Sequence, residues 1–468
     1  MAESWANLGV DLHLETGGDA SRNGVRKGLT DALRAAVRGG RLAPGTRLPS
    51  SRSLAVDLGI ARNTVADAYA DLVAEGWLTA RQGSGTRVAE RAITPPVRPA
   101  PTRRPAGAPT YDLTPGTPDL AAFPRAEWLK AARRALSAAP NAAFGYGDPR
   151  GRVELREALA GYLARARGVH ADPDRVIITA GFVHGLSLLG RVLRARGLRA
   201  AAVESYGLDI HWNLLHRAGL RTSPLDFDDL GTRTAGLDAG AAKAVLLTPA
   251  HQFPMGVPLH PDRRAAAVDW ARREGGLILE DDYDGEFRYD RQPVGALQGL
   301  DPEHVVYLGT ASKSLAPGLR LGWMVVPSGL RDEVLGEKDA AGWSCGTLDQ
   351  LTLADFLTSG AYDRHVRAAR LRYRRRRDQL VAALAERSPE TRASGIAAGL
   401  HAVLELPPGT EQSVVQAANW ERLAVQGLAR FRHPLAGVGE RDALVVGYGT
   451  PAEHAWAGAL DALCRVLP

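Results

Sequence analysis

The sequence predicts a multidomain protein whose larger part is an α/β domain with a mainly parallel sheet. The length of 468 residues exceeds that of an ordinary single domain and suits two or three domains. From Tyr111 onward, short β-rich runs alternate with helical patterns, and their continuous hydrophobicity predicts strands buried on both faces. Residues 1–110 carry 15 Lys and Arg against 10 Asp and Glu, which is +5 of the total formal charge of +6. This imbalance favours a nucleic-acid-binding domain in the first quarter.

Composition and cysteine usage predict a globular, cytoplasmic protein. Hydrophobic residues make up 45% of the chain and charged residues 24%, which is ordinary for a globular protein. Cys345 and Cys464 have neither metal-ligand spacing nor a framework of pairs, which is typical of a reducing compartment. Residues 1–18 include acidic side chains and no apolar core, so we expect no signal peptide. No run approaches the roughly 18 apolar residues of a membrane helix, so we expect no membrane association.

The first quarter has the pattern of three helices followed by a hairpin. Apolar residues spaced four apart over residues 25–37 predict a first helix, and two glycines end it. A short second helix follows, capped by Ser50 or Ser51, and after a glycine turn comes a third helix, capped by Asn63 or Thr64. The segment WLTARQGSGTRV then predicts a tight two-stranded wing.

The segments LPSSR (48–52), GIARNTV (59–65), EGWL (75–78) and GSGT (83–86) resemble, in register, GntR-type winged helix-turn-helix domains. The resemblance implies that double-stranded DNA is a partner of this domain. The residues implied to face DNA are Arg52, Arg62, Asn63 and Thr64 at the major groove, and Gly83 with Ser84 at the wing near the minor groove. An arginine at the start of a recognition helix can form two hydrogen bonds to guanine. A helical bundle with exposed arginines is the alternative.

A proline-rich segment separates this domain from the rest of the chain. Residues 90–110 contain six prolines, four arginines and almost no aliphatic side chains, which predicts an extended, semi-rigid spacer. We therefore predict a DNA-binding domain over residues 1–88, a linker over 89–110, and a large domain over 111–468.

The central stretch of the large domain is VVYLGTASKSLAPGLRLGWM, residues 305–324. It opens as a strand-length apolar run and breaks into small polar residues around Lys313, which lies between Ser312 and Ser314. A lysine in this setting can be an amine nucleophile, because desolvation lowers its pKa. On these residues alone, a solvated loop lysine is the alternative.

Two other predicted strands end in residues suited to ligand binding. After residues 175–179 come Gly181 and Phe182, where a helix N-terminus can approach a phosphate. After residues 277–280 comes Asp281, within the run EDDYD. Ligands collect at the carboxyl ends of parallel strands, so these segments predict one site together with Lys313.

These segments resemble a fold-type-I, aminotransferase-like domain that binds pyridoxal 5′-phosphate (PLP), over most of residues 111–468. Lys313 matches the lysine that forms the Schiff base, Asp281 the carboxylate at the pyridine nitrogen, Tyr283 the phenol near O3′ and Tyr206 the stacked aromatic ring. Arg320, Thr310, Gly181 and Phe182 match phosphate ligands, Ser312 is a further cofactor contact, and Tyr146 matches a tyrosine that reaches the phosphate of a neighbouring subunit. A carboxylate keeps the ring nitrogen protonated, and an arginine holds the phosphate dianion.

A winged helix joined by a proline-rich linker to such a domain is the architecture of MocR-type regulators, and the segment TPAHQFPMG, residues 248–256, strengthens the match. Several positions depart from the aminotransferase pattern. Phe253 replaces an asparagine, Met255 replaces a threonine, and the segment before Tyr206 is two residues shorter than the family pattern. Val445 stands where aminotransferases have the arginine for the substrate carboxylate, with Arg430 and Arg432 as nearby substitutes.

Two functions remain open from the sequence. The first is a PLP-dependent transcription regulator that senses PLP, an amino acid or an amine and controls vitamin B6, amino acid or amine metabolism. The second is an active PLP-dependent aminotransferase. The resemblance also implies a head-to-tail homodimer. The arginine-rich run RLRYRRRR, residues 370–377, is either a solvated helix face or a DNA-contacting face.

Overall fold

The structure is a computed structural model that describes residues 22–81, 85–90, 109–289, 294–342, 345–437, 439 and 441–468. It divides into two compact units, Met1–Pro105 and Ala106–Pro468.

The described part of the first unit contains three helices and one hairpin. They are α1 (Arg22–Arg38), α2 (Ser51–Leu58), α3 (Arg62–Ala74), β1 (Leu78–Arg81) and β2 (Gly85–Val88). The Ser50 side chain accepts a hydrogen bond from the backbone N–H of Ser53, which confirms the predicted cap of α2. The predicted cap of α3 is wrong: the helix begins at Arg62 after Ala61, which has no capping side chain, so Asn63 and Thr64 lie inside its first turn.

The core of this unit is built from the apolar face of each helix. It comprises Leu29, Leu33, Leu54, Val65, Ala68, Leu72 and Leu78, all at most 1% exposed. Two ion pairs tie α1 to the C-terminal part of α3, Arg26 to Asp71 at 2.5 Å and Arg34 to Glu75 at 2.6 Å. These contacts hold α3 against the other helices, so that its N-terminal turn has a defined position.

The second unit is a large α/β domain. Its helices are α4 (Arg125–Ala138), α5 (Val153–Arg167), α6 (Phe182–Ala195), α7 (Asp209–Arg217), α8 (Gly236–Ala239), α9 (Pro261–Glu274), α10 (Arg331–Ala340), α11 (Thr347–Thr358), α12 (Ala361–Arg387), α13 (Glu411–Trp420) and α14 (Trp456–Val466). Its strands are β3 (Tyr111–Asp112), β4 (Val176–Thr179), β5 (Ala200–Glu204), β6 (Arg221–Leu225), β7 (Phe227–Asp228), β8 (Gly231–Thr232), β9 (Ala244–Leu247), β10 (Leu277–Asp281), β11 (Val305–Thr310), β12 (Gly322–Val325), β13 (Arg392–Ser394), β14 (Ala402–Glu405), β15 (Leu423–Ala424), β16 (Gln426–Gly427) and β17 (Ala443–Val446).

Seven strands of the described chain form the central sheet, in the order β4-β12-β11-β10-β9-β5-β6. Within this sheet β12 is antiparallel to both of its neighbours, and the other pairs are parallel. Strands β4, β9 and β11 are buried along their whole length, as continuous apolar runs predict. The predicted mainly parallel sheet is therefore confirmed.

The parallel strands bring their carboxyl ends to one edge of this sheet. Asp281, the last residue of β10, pairs with Leu308 of β11, two residues before the end of that strand at Thr310. Thr179 ends β4 and Glu204 ends β5. Ligand-binding side chains in such sheets lie outside these ends.

A smaller antiparallel sheet, β13-β14-β17-β16, packs with α12 and α14 over a separate apolar core. The start of the large domain is attached to this region, because β3 pairs in parallel with β15. The chain then continues through residues 114–117, where the Thr450 hydroxyl donates to the carbonyl oxygens of Thr114 and Thr117 at 2.7 and 3.0 Å.

The arginine-rich run in α12 has mainly structural contacts. Arg376 is fully buried and pairs with Asp119 at 3.3 Å and Glu453 at 2.8 Å. Arg375 also pairs with Glu453, and Arg370 donates to the carbonyl oxygen of Glu286. The run of residues 370–377 is therefore not a uniformly solvated helix face. Among the described residues, no helix has the length and apolar composition needed to cross a membrane.

Candidate functional site

A cavity of about 430 Å³ lies in the large domain at the carboxyl edge of the central sheet. Eight predicted cofactor residues line it: Lys313, Asp281, Tyr283, Tyr206, Thr310, Ser312, Arg320 and Phe182. Gly181 precedes Phe182 at the N-terminus of α6, whereas Tyr146 does not line the cavity and is fully exposed in this chain. The cavity volume lies in the usual range of small-molecule sites.

Lys313 follows β11 and contacts the segment that begins the large domain. Its Nζ atom donates a hydrogen bond of 2.5 Å to the carbonyl oxygen of Gly116. Burial lowers the pKa of Lys313, and the charges of Asp281 and Asp284 oppose that shift. A lowered pKa increases the fraction of neutral amine, which is the nucleophilic form.

Asp281 presents an unsatisfied carboxylate oxygen in this cavity. The side chain is 5% exposed, and its Oδ1 atom has no hydrogen-bond partner among the described residues. Burial raises the pKa of Asp281 well above its usual range, and the Lys313 charge opposes the shift. Buried carboxylate oxygens are normally paired, so a ligand that brings an N–H group suits this position. A protonated pyridine nitrogen is such a group.

The N-terminus of α6 and Arg320 form a cradle for an anion. Gly181 caps α6 with φ +84°, and a Cβ atom placed on it would lie 3.3 Å from the Arg320 guanidinium. Arg320 has a left-handed backbone and donates to the carbonyl oxygen of Ala180 at 2.5 Å. The hydroxyls of Thr310 and Ser312 lie 2.8 Å apart and line the same cavity. Free helix N–H groups, a guanidinium and two hydroxyls fit a phosphate group.

The two tyrosines predicted as cofactor contacts occupy different surroundings. Tyr206 is 2% exposed and packs in an apolar cluster with Phe253 and Phe431, and its carbonyl oxygen accepts from Gln252. Its stacking on the cofactor ring stays a prediction. The Tyr283 hydroxyl lies 3.1 Å from Nδ1 of His251.

Several residues of the cavity were not predicted from the sequence. Glu204 accepts hydrogen bonds from Thr232 and Thr248, and burial raises its pKa to about 7. His211 packs against Phe182 with ring centroids 4.6 Å apart, and burial lowers the pKa of His211 to about 3. Glu204 is the last residue of the apolar strand β5, a position that could have identified it, but His211 lies on a helix without a comparable signal.

The structure distinguishes Arg430 from Arg432, the two arginines that could replace the carboxylate-binding arginine of aminotransferases. Arg430 lines the cavity, 3.7 Å from Asp209, and is 60% exposed. Arg432 donates to the carbonyl oxygen of Ala436 instead. Val445 is fully buried in β17 and does not line the cavity. Arg430 is therefore the arginine available to an acidic ligand group.

Of the six residues predicted to face DNA, three are exposed, one is buried and two lie outside the described residues. Arg52 in α2 and both Arg62 and Asn63 in α3 are exposed. Thr64 differs from the prediction, because it lies on the inward face of α3 with 3% exposure and presents no side chain to DNA. Gly83 and Ser84 lie outside the described residues.

Family comparisons match the two units separately. Bacterial regulatory proteins of the gntR family match residues 25–88, and aminotransferases of class I and II match residues 111–435.

Relatives that match most of the chain are named as regulators. The chain is 34% identical over 428 residues to the HTH-type pyridoxine biosynthesis transcriptional regulator PdxR of Corynebacterium glutamicum, covering 91% of this chain and 92% of that protein. It is also 34% identical over 383 residues to the probable rhizopine catabolism regulatory protein MocR of Rhizobium meliloti, with 76% of each chain covered. The HTH-type transcriptional regulator TauR of Rhodobacter capsulatus is 34% identical over 411 residues, covering 79% of this chain and 81% of its own.

Solved structures with a similar fold include aminotransferases. An archaeal alanine:glyoxylate aminotransferase superposes with a TM-score of 0.69 at 24% identity, covering 76% of this chain and 90% of its own. The α-aminoadipate aminotransferase LysN of Thermus thermophilus gives a TM-score of 0.67 at 24% identity, covering 76% and 91%. At 24% identity, this similarity shows that the fold is shared and nothing further.

Proposed function

The chain belongs to the MocR-type regulators, with a gntR-family DNA-binding domain and a class I and II aminotransferase domain, and from this premise we propose that its large domain holds PLP as part of a sensor. The observation that carries the proposal is the unsatisfied Oδ1 atom of Asp281 in the cavity that also holds Lys313. Asp281 would pair with the ring nitrogen, and the cradle of Gly181 and Arg320 would hold the phosphate.

When bound, PLP supplies an electrophilic carbonyl group and an electron-poor ring. The chain's own residues supply the amine of Lys313, the carboxyl group of Asp281, whose ionised form a ring N–H would stabilise, and the positive charge of Arg320. Tyr146, exposed in one chain, would contact the phosphate in the partner subunit of a head-to-tail dimer. The cavity geometry supports the first three of these roles.

We propose that the effector is PLP itself or a small amine with an acidic group. Arg430 is a cation that lines the cavity in addition to Lys313 and Arg320, and Leu208, Phe253 and Phe431 add apolar surface. An acidic group of the effector would displace Asp209 from Arg430. The name of the Corynebacterium glutamicum relative supports vitamin B6 synthesis as the controlled process.

We propose that the effector signals through the hydrogen bond from Lys313 to Gly116. Residues 114–117 follow β3, and the predicted linker precedes β3 in sequence. PLP bound to the Lys313 amine would end this hydrogen bond and free the Gly116 carbonyl, whereas an amine effector that displaced Lys313 from PLP would free the amine to donate to Gly116 again. The large domain then has two states that ligands populate differently.

An active aminotransferase is the second candidate, and the Lys313 and Asp281 pair favours it. A multiple-turnover assay with varied amino donors and keto acids separates the two functions. Sustained turnover with unchanged DNA binding would support the enzyme. The regulator is tested by a promoter footprint with and without PLP and candidate amines, in which a ligand-dependent change in protection is expected. An unchanged footprint with every ligand would contradict the sensor.

A further inference from the structure

A buried cluster of polar side chains lies behind Tyr283 and has no role in the proposed function. His251 and Asp284 are 3% and 2% exposed, and Nδ1 of His251 lies 2.8 Å from Oδ2 of Asp284. The Tyr283 hydroxyl oxygen lies 3.1 Å from the same nitrogen. Both His251 and Asp284 lie outside the lining of the cavity, whereas Tyr283 is part of it.

The shared nitrogen determines which way the Tyr283 hydrogen can point. When Nδ1 of His251 carries a proton, it donates to the Asp284 carboxylate and also faces the Tyr283 oxygen. A protonated nitrogen cannot accept a hydrogen bond, so the Tyr283 hydrogen must point away from His251. The Asp284 carboxylate is then the acceptor for this hydrogen on the buried side, and a ligand oxygen in the cavity would compete with it.

The packing around the cluster keeps this arrangement in place. Gly399 has φ +72°, and a Cβ atom there would lie 2.4 Å from Cε1 of His251 and 2.6 Å from Oδ2 of Asp284. Only a residue without a side chain fits beside the pair. Phe253 meets the Tyr283 ring edge-on, with centroids 5.9 Å apart at 90°. Rigidly packed supporting residues hold a functional group within the narrow range that chemistry needs.

We propose that His251 and Asp284 are positioning residues that hold the Tyr283 hydroxyl as a hydrogen-bond donor toward the ligand cavity. The inference rests on the proposed function, because the acceptor is an oxygen of the bound PLP or of its ligand. The pair acts through Tyr283 and does not contact the ligand itself.

The electrostatics near Tyr283 agree with this arrangement. Burial and the charge of Asp284 raise the pKa of Tyr283 well above its usual range, so the phenol keeps its hydrogen. His401 donates from Nε2 to the carbonyl oxygen of Pro254 at 3.0 Å, and burial lowers its pKa to about 4, so it stays neutral near pH 7. Other titratable groups that face the cavity or the pair include Asp281, Glu204, Lys313, His211, Asp209, Tyr206, Arg320, Arg430, Tyr289 and Tyr448.

The test is a double-mutant cycle on the full-length protein loaded with PLP. The variants are His251→Ala, His251→Asn, Tyr283→Phe and the double variant, with exposed His170→Asn as the matched control. The readout is the pH midpoint of the visible PLP absorption. His251→Ala should move the midpoint by about one pH unit, since a hydrogen bond to a titrating group shifts its pKa on this scale. His251→Asn, which can still donate to Asp284, should recover at least half of the shift.

In the Tyr283→Phe background, His251→Ala should move the midpoint by less than a third of its effect in the wild type, because coupled residues are not additive. An equal shift in both backgrounds, or none in either, would overturn the proposal. Stoichiometric zinc retained by the wild type would also overturn it, because His251, Asp284 and His401 would then be metal ligands and Nδ1 could not be a donor.

A second readout separates this inference from the PLP proposal. In the protein without PLP, acylation of the Lys313 amine by acetic anhydride is followed against pH by peptide mass spectrometry. Asp284→Asn should lower the midpoint of this reaction, because the Asp284 charge raises the Lys313 pKa. An unchanged midpoint would contradict the placement of Asp284 whether or not PLP binds. A wild type without visible absorption, with this shift intact, would contradict PLP binding alone.

Discussion

The Nζ atom of Lys313 donates a 2.5 Å hydrogen bond to the carbonyl oxygen of Gly116, which joins the ligand cavity to the first residues of the large domain. The two residues are 197 positions apart in the sequence, so their hydrogen bond is a tertiary contact between separate segments. A change at the Lys313 amine would alter this contact with the segment that follows the predicted linker.

Replacing Lys313 with alanine should abolish the visible absorption of protein loaded with PLP. The amine that captures the cofactor is lost, whereas little packing is removed, so the protein should remain folded. Borohydride reduction of the wild type should fix the cofactor to Lys313, as read by peptide mass spectrometry. An absorption band that persists in Lys313→Ala, with unchanged circular dichroism, would rule out this lysine.

Replacing Arg62 with alanine should weaken specific operator binding by about 1–3 kcal/mol and relax the preference at one base pair. Arg62 is exposed at the first position of α3. Exposed Arg41→Ala, outside the recognition helix, is the matched control and should leave base preference unchanged. Titration of operator variants measures both effects, and identical preferences in Arg62→Ala and wild type would remove this residue from base recognition.

Gly181→Ala should weaken PLP binding, because φ +84° is unfavourable for alanine and the new Cβ would press on the Arg320 guanidinium. Strain of this kind costs about 1–3 kcal/mol. The matched control is Gly161→Ala, where a Cβ atom meets nothing within 4 Å. The dissociation constant for PLP is measured by absorbance. Equal affinity in Gly181→Ala and the control would contradict the phosphate cradle.

Glu286→Gln should make the stability of the large domain less dependent on pH. Burial raises the folded-state pKa of Glu286 to about 7, above its usual value, so its contribution is present at low pH and is lost as the pH rises through 7. The variant should match the wild type near pH 4.5 and exceed it near pH 8 by about 1–3 kcal/mol. Its Oε1 contacts with the hydroxyls of Tyr162 and Tyr362 can persist. Denaturant unfolding at both pH values measures this, with exposed Glu157→Gln as control.

Operator spacing tests the coupling of two DNA-binding domains in a dimer. The proline-rich segment 90–110 has 21 residues and, extended at about 3.1 Å per residue, would span up to about 65 Å, so direct repeats are within reach. Inserting five base pairs between half-sites rotates one by about half a turn and should lower both affinity and ligand response. Ten inserted base pairs should restore part of each. No change with five would show that the domains bind independently.

Much of the large domain was predictable because its signals are local. Apolar runs identify strands buried on both faces, and the residues after Thr179, Glu280 and Leu308 had to meet at one edge of a parallel sheet. The predicted gntR-type and aminotransferase-like architecture is confirmed by the fold and the family matches.

The remaining features depend on contacts between distant residues. Thr64 is buried because of the orientation of α3 about its own axis relative to α1 and α2. Capping residues alone do not determine that orientation. Arg376 looks like one of many exposed arginines until Asp119 is placed beside it. The His251 and Asp284 pair joins two loops 33 residues apart, and neither residue has a spacing that marks it.

The pairing of β3 with β15 has a practical consequence for dividing this chain. Tyr111 pairs with Leu423, and its ring packs where a Cβ on Gly458 of α14 would collide with it. A large domain expressed from a start after Asp112 would expose this surface of α14 and leave β15 without its neighbour. A protease site inserted within residues 89–108 should instead release a fragment that keeps its fold, so a ligand-binding domain for crystallisation is best begun at or before residue 109.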